Sequence, residues 1–383
     1  MARMRVGFDG RWHGYSGVGN YVSELLRAMG SLDGDFEIIL YEDPRNPLEH
    51  VRGERIRKVP VHAKRYSIQE QLELAHRCRA DRLDVFHSPF YVTPWFALCP
   101  VVVTIHDLIP FLFNIYSLPK RQIIRLGYRL AAKKAARVIV DSENTRCDLS
   151  RILGVSGEKT AVVHLATSRE HYHSTPDADE REYLLARYGI RQPYVLTLSA
   201  KNWRTKNLSV VLKALAICQQ EVGFPFQTVI AGSPDGFHEA SQRDTVTTEN
   251  VVVTGFVPAA DLPKLYRGAE VFLLGSKYEG FGLPLLEAMS CGCAVVCSNG
   301  GSLAEVAGSG AVLVDPDDAI AMGRAVGRLL RDSSESLELK ARATKRSDDF
   351  SWKRAARLTV SVYSEAAKIN SVTSRESEST GLT

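Results

Sequence analysis

The sequence predicts an α/β protein built from two Rossmann-like domains facing across a cleft. At 383 residues the chain exceeds what one hydrophobic core usually organises. Short apolar runs alternate with helical patterns along most of its length, the mark of parallel sheets covered on both faces. That alternation occurs twice, on either side of a polar, charged stretch over residues 166–193. A hydrophobic content of 45% supplies apolar material for two cores, and a net charge of +4 is too mild for a dedicated nucleic-acid binder.

In the first series, strands are expected at 5–8, 37–41, 85–87, 101–105, 137–140 and 160–164. In the second they are expected at 194–198, 226–231, 251–254, 271–274, 294–298 and 311–314. Helical patterns lie between, over 19–29, 119–137, 208–219 and 262–267, with one short helix at 179–188. The first domain is placed at 1–170, a linker at 171–193 and the second domain at 194–350. Residues 369–383 lack apolar periodicity and are expected to be disordered. The start of the chain runs straight into a buried strand at Val6-Gly7-Phe8-Asp9, with no apolar core or cleavage site of a signal peptide. No run of eighteen or more apolar residues occurs. Seven cysteines, mostly in apolar or helical stretches, fit a reduced, cytoplasmic protein. Cys291, Cys293 and Cys297 match no zinc spacing and are expected to be small buried thiols beside a strand.

Ligands of open parallel sheets bind beyond the carboxyl ends of the strands, so unusual residues in strand-to-helix loops carry the search. The segment Ser276-Lys-Tyr-Glu279-Gly280-Phe281-Gly282-Leu283-Pro284-Leu-Leu-Glu287 leaves a strand, passes a glycine-rich turn and enters a helix. Pro284 suits the first helical position, where its missing N–H costs nothing. The amides from Gly280 to Leu283 would point out of the helix start, where partial positive charge favours phosphate. Two carboxylates bracket the turn, and each can accept hydrogen bonds from vicinal hydroxyls. Glu287 lies in a helix apolar all round, so it requires a partner. The pattern suits a diphosphate with a sugar at each end.

Glu279-x7-Glu287, with Gly-Phe-Gly-Leu-Pro between, resembles the E-x7-E signature of the family-four retaining glycosyltransferases of GT-B fold. The resemblance covers nearly the whole chain. Thr254-Gly-Phe256-Val257 and Asp261-Leu-Pro-Lys-Leu-Tyr266 are similar to the family's base-pocket segment. Gly300-Gly301-Ser302 and Leu313-Val-Asp315-Pro316 are similar to the family's segments on the C-terminal side of the motif. Phe350-Ser351-Trp352 resembles the start of the family's final helix, placed at 351–368, which crosses back to the first domain. The resemblance implies that Glu287 holds ribose hydroxyls and Glu279 a donor-sugar hydroxyl. Amides near Phe281 and Gly282 would contact the sugar or diphosphate.

A donor diphosphate requires cations unless a metal serves. Lys201, Arg204 and Lys206 cluster after the second domain's first strand, and Lys206-Asn207 matches the family's Lys-Asn step. Thr205 stands where the family commonly has arginine, so the second charge falls to Arg204 or Lys201. With lysines present and no Asp-x-Asp signature convincingly placed, no metal or other cofactor is expected.

In the first domain, Asp9-Gly-Arg11…Ser16-Gly17-Val18-Gly19-Asn20-Tyr21 follows the first strand. It lacks the third glycine of a dinucleotide fingerprint, because Val22 occupies that place. It is similar instead to the family's glycine loop, with Gly17 and Gly19 near the donor diphosphate. His106, at a strand's end, matches a histidine the family sets against the donor sugar. His87 and Asp141-Ser142-Glu143, at other strand ends, are weaker candidates. Arg121, Arg125, Arg129, Lys133 and Arg137 recur at i, i+4 along the helix at 119–137, which suits either solvent or peripheral contact with anionic lipid at the inner face of the membrane.

The functional expectation is transfer of a sugar from a nucleotide-diphosphate donor to a hydroxyl of a glycan or lipid-linked acceptor, with Glu279, His106 and Lys206 catalytic. Mannosyltransferase-like members carry the nearest glycine-loop and His-Asp-Leu patterns, which puts GDP-mannose ahead of UDP-sugars. The rivals are a sugar-nucleotide epimerase of the same fold, an NAD-dependent dehydrogenase, which the incomplete fingerprint disfavours, and a catalytically silent partner subunit.

Overall fold

The computed structural model describes residues 3–14, 16–199, 203–241 and 250–379. They form two compact units, the first comprising the chain up to Leu165 and again from Ser351, the second Ala166–Phe350. The first unit holds strands β1 (Met4–Asp9), β2 (Phe36–Glu42), β3 (Ile56–Pro60), β4 (Val85–Ser88), β5 (Val101–Ile105), β6 (Arg137–Val140) and β7 (Thr160–Val162). They make one parallel sheet in the order 3-2-1-4-5-6-7. The second unit holds β8 (Tyr194–Ser199), β9 (Gln227–Gly232), β10 (Val251–Gly255), β11 (Val271–Leu274), β12 (Ala294–Ser298) and β13 (Val312–Val314), parallel in the order 10-9-8-11-12-13. Strands β5 and β12 are buried throughout, as central strands covered on both faces must be.

Every expected strand is present. β3 was not anticipated: at the sheet edge it alternates charge with apolar residues (Ile-Arg-Lys-Val-Pro) and shows no continuous apolar run. The first helix spans Ser16–Gly30, so Gly17 and Gly19 lie in its first turn, not in a loop. The basic helix is Leu118–Lys134; Ala135 turns extended, and Arg137 belongs to β6, where it pairs with Glu365 at 3.1 Å.

Two boundaries differ from expectation. The stretch expected to be a linker, 171–193, packs within the second unit. Its helix Glu180–Tyr188 buries Leu184, ties Glu180 to Arg267 Nε at 3.0 Å, and sends the Tyr188 hydroxyl to Asp261 at 2.7 Å. Most of the stretch is exposed, and its polar composition reflects solvent except where a few side chains such as Glu180 and Tyr188 hold it to the second unit. The final helix runs Trp352–Ser379, past the expected end at 368 and into the stretch expected to be disordered. No Gly or Pro interrupts it before Gly381, and extending an existing helix adds one backbone hydrogen bond per residue fixed.

Candidate functional site

In the second unit the strand order reverses between β8 and β11, the place where a doubly wound sheet opens a crevice at its carboxyl edge. The loops leaving these two neighbours carry the charged residues. After β8, the short helix Trp203–Lys206 delivers Lys206; after β11 come Ser276 and Glu279. Lys206 Nζ donates to Glu279 Oε1 at 2.6 Å, and Ser276 Oγ donates to the same oxygen at 2.6 Å. The backbone joins them too, Lys277 N donating to Thr205 O at 2.9 Å.

The glycines after the motif explain how Glu279 is held. Ser302 donates to the Glu279 carbonyl through both its amide (3.1 Å) and its hydroxyl (3.0 Å). A Cβ on Gly301 would stand 2.4 Å from that carbonyl oxygen, and one on Gly300 2.5 Å from the oxygen of Lys277. Gly301 also has φ +65°, so only a residue without a side chain lets this loop support the acid. Asn207 takes a left-handed conformation at the next helix start and donates to Pro316 O at 2.6 Å, which gives the Lys-Asn step a structural half.

Gly282, at φ +96°, precedes the helix Leu283–Ser290, with Pro284 in its first turn and no side-chain cap. The amide end of that helix follows Glu279 by four residues. The Phe281 ring is buried, edge-on to Phe350 with centroids 5.7 Å apart. Glu287 is buried in this helix and finds its required partner in the Tyr266 hydroxyl, which donates at 3.1 Å. Burial raises its pKa to about 7, against the opposing pull of hydrogen bonds from Tyr266 and Tyr172 and the charge of Lys206.

Phe256 leaves β10 with its side chain 87% exposed, and Val257 beside it is half-buried. Arg204 is exposed while Thr205 packs inward; Lys201 lies outside the described residues. Sequence reasoning gave no role to Ser276, Tyr266 or Tyr172. The first two lie within segments that resemble the family, whereas Tyr172, in the supposed linker, carried no signal. Cys291, Cys293 and Cys297 are buried free thiols. Among the described residues no group of three or more His, Cys, Asp or Glu is placed to hold a metal ion, and no helix is long and apolar enough to cross a membrane.

The first unit gathers its polar residues from several strand ends. His106, just after β5, sends Nδ1 to Asp141 Oδ2 at 2.7 Å and Nε2 to Pro89 O at 3.1 Å. Asp141 Oδ2 and the Pro89 carbonyl favour a protonated imidazole, which can donate from both ring nitrogens. Burial opposes the imidazolium, but the charge and hydrogen bond of Asp141 outweigh it and raise the His106 pKa. The other Asp141 oxygen is buried without a hydrogen-bond partner.

His87 does not line a site. It is fully buried, bonded at Nε2 to Thr104 (2.8 Å) and at Nδ1 to Tyr363 of the final helix (2.6 Å), and burial lowers its pKa to about 3. Gly19 serves packing, since a Cβ there would lie 1.9 Å from His13 O, while Gly17 faces open space. An unforeseen buried triad follows β1. Arg11 donates to Asp9 (Nε to Oδ1, 2.7 Å) and to Glu70 (Nη2 to Oε1, 2.7 Å), joining the strand end to the helix Ile68–Ala80.

The chain matches two families in series: glycosyltransferase family 4 over residues 15–170 and glycosyl transferases group 1 over residues 184–346. It is 29% identical over 315 residues to the O-antigen chain mannosyltransferase B of Escherichia coli, covering 80% of this chain and 81% of that protein. It is 30% identical over 288 residues to the serotype-specific mannosyltransferase WbdA of the same species, covering 70% of this chain but only 33% of WbdA. Among solved structures it superposes on sucrose-phosphate synthase from Thermosynechococcus elongatus with a TM-score of 0.76 at 20% identity, covering 95% of this chain and 99% of that one. It superposes on Anabaena HepE in complex with UDP and glucose with a TM-score of 0.74 at 19% identity, covering 94% and 100%. These likenesses show the two-domain GT-B fold.

Proposed function

Since the chain belongs to the group 1, family 4 glycosyltransferases and is a transferase of GT-B fold, we propose that it moves mannose from GDP-mannose to a hydroxyl of a glycan or lipid-linked acceptor, with retention of anomeric configuration. The observation that carries this reading is the Lys206–Glu279 pair at the switch between β8 and β11, beside the open amide end of the helix bearing buried Glu287. The named mannosyltransferases among its relatives support mannose.

In this reading Glu287 accepts from the ribose hydroxyls and Glu279 from a donor-sugar hydroxyl. Lys206 and the amides from Gly280 to Leu283 stabilise charge building on the departing diphosphate, with Arg204 as a further cation. Phe256 and Val257 border the base, Gly17 and Gly19 are assigned to the donor diphosphate, and His106 is assigned to the donor sugar. The leaving phosphate takes the acceptor's proton as the acceptor attacks from the same face. Lysine and helix-end charge serve in place of a metal. The remaining partner in this reading is an anionic membrane surface, met through the basic helix.

Binding and slow hydrolysis of GDP-mannose, GDP-glucose, UDP-glucose and UDP-galactose, each with and without EDTA, test the donor and the metal together. GDP-mannose should bind tightest and turn over in EDTA. Glu279→Gln should lower kcat by about 10²–10³-fold. Lys206→Ala should weaken donor binding about tenfold or more, the effect of losing one charge-assisted contact. Tightest binding of a UDP-sugar would replace the donor; unchanged kinetics in both variants would remove the site.

A further inference from the structure

The first unit carries an apolar surface that its sequence did not advertise. Ile68, Leu72, Phe96, Leu98, Ile123 and Leu126 are each more than half exposed, Ile68 and Leu98 by 80% and 79%. Monomeric proteins scatter such residues singly; here they lie on three neighbouring elements. Ile68 and Leu72 share one face of the helix Ile68–Ala80 at i, i+4 spacing, with Gln71 beside them. Gln71 Oε1 accepts from Trp95 N at 2.8 Å, which seats the segment carrying Phe96 and Leu98 against that helix. The same segment reaches the basic helix Leu118–Lys134. Tyr91 stacks on Tyr128 with centroids 4.3 Å apart, a Cβ on Gly127 would meet Tyr91 at 3.0 Å, and Lys134 Nζ donates to Ala97 O at 2.8 Å.

On the basic helix, Ile123, Leu126 and Leu130 form a stripe at i, i+3, i+7. By the 100° step per residue, Gly127 and Lys134 border it on the side of the Tyr91–Ala97 segment, and Arg129 and Lys133 border it on the other. Charge over this region has one sign. Between Val85 and Val140 the sequence has seven Lys and Arg and a single acid, Asp107, whose Oδ1 accepts from Ile109 N. On the helix Ile68–Ala80, Glu70 is buried against Arg11 and Glu73 accepts from the amides of His62 and Ala63. Not every cation of the basic helix is turned outward: Arg125 donates to the carbonyls of Pro110 and Phe111.

We infer that this face lies on an anionic phospholipid bilayer, the apolar side chains entering the headgroup–acyl boundary and Arg129 and Lys133 meeting the phosphates. The inference deepens the membrane contact proposed above and rests on it. The basic helix alone is not the contact, since its stripe is one third of a surface completed by the helix Ile68–Ala80 and the segment after β4. Apolar area supplies adhesion and the surrounding cations supply preference for anionic lipid. A second copy of the chain is a poor occupant, because a two-fold interface would set this acid-poor surface against itself. The segment carrying Phe96 and Leu98 leaves β4, and the one leading to the basic helix leaves β5 through His106. An acceptor anchored in the same bilayer would therefore be presented at the strand ends that bear His106.

The test is co-sedimentation of the full chain with phosphatidylcholine vesicles, alone or mixed with phosphatidylglycerol. The parent should bind the mixed vesicles and release them at high salt. Phe96→Ser/Leu98→Ser should weaken that binding about tenfold or more, and Arg129→Glu/Lys133→Glu should erase the preference for phosphatidylglycerol. Ile68→Ser/Leu72→Ser, on a separate element, repeats the first test should the loop variant unfold. Equal binding to both vesicles, parent-like binding by both apolar variants, or light scattering showing that these variants convert a dimer to a monomer would overturn the inference. GDP-mannose binding measured without vesicles should not change in any variant, which separates this outcome from failure of the donor assignment.

Discussion

The two units share one plan and use ion pairs differently. After β1, Arg11 is enclosed with Asp9 and Glu70, all three side chains at most 2% exposed. After β8, Lys206 meets Glu279 at the same kind of distance, 2.6 Å, but the two side chains remain 25% and 12% exposed. An enclosed triad whose carboxylates take their hydrogen bonds from Arg11, Trp12 and Tyr66 inside the protein has nothing left for a ligand. A pair open to solvent can exchange partners, because water replaces what a ligand later takes. The contrast separates a structural ion pair from a binding one where the residue types are alike.

The largest effect expected from this contrast is on stability. Arg11→Ala leaves two carboxylates buried together without a cation, and should destabilise the first unit by about 3–5 kcal/mol. Lys206→Ala leaves Glu279 with Ser276 and solvent, and should change stability by less than about 1 kcal/mol. Urea unfolding of the two variants, followed by tryptophan fluorescence, measures both. Similar losses in the two would dissolve the distinction.

Glu287 sharpens it from the other side, being a buried acid whose hydrogen bonds come from tyrosine hydroxyls. Its folded pKa is raised from 4.5 to about 7, so across that window the folded protein binds more protons than the unfolded chain. Stability is therefore lost as pH rises from 4.5 to 7, the reverse of a carboxylate in a salt bridge. Glu287→Gln removes the titration and should stabilise the unliganded protein above pH 7 by about 3 kcal/mol, at about 1.4 kcal/mol for each tenfold difference in proton affinity between the folded and unfolded chain. The same change should abolish tight donor binding. A variant that kept donor affinity, or whose unfolding midpoint followed pH as the parent does, would show that the acid is not held ready for ribose.

This difference also governs what the sequence reveals. Lys206, Glu279, Gly282 and Glu287 stand on the segments that follow two adjacent strands, and most fall within one short stretch whose local chemistry is continuous: strand, tight turn, helix start. Such a site is legible because backbone geometry sets the residue types at fixed spacing. The supports are less so. Tyr172 reaches Glu287 from a stretch whose composition resembles a linker, and Glu70 reaches Arg11 across 59 residues. No periodicity encodes either meeting; it depends on which helix packs on which strand end. The His106–Asp141 pair is intermediate. Each residue is conspicuous at its own strand end, but only the neighbouring of β5 and β6 joins them. His87 misled for the same reason: a strand-end histidine looks alike in sequence whether it faces a ligand or, as here, a tyrosine of the final helix.

The smallest expected effect concerns two aromatic residues on the donor side. Phe281 and Phe256 both belong to segments assigned to the donor, yet Phe281 is packed into the second unit and Phe256 is 87% exposed. Burial already accounts for the first ring; stacking on a nucleotide base would account for the second. Phe256→Ala removes no core contact, so the unfolding midpoint should stay where it is. Loss of one base–aromatic stack should weaken GDP-mannose binding by about 1–2 kcal/mol, roughly tenfold in Kd. Titration calorimetry with GDP and GDP-mannose locates the contact, because a stack on the base must weaken both ligands equally. A loss confined to GDP-mannose would move Phe256 to the sugar, and no loss in either would leave its exposure without a role in the donor site.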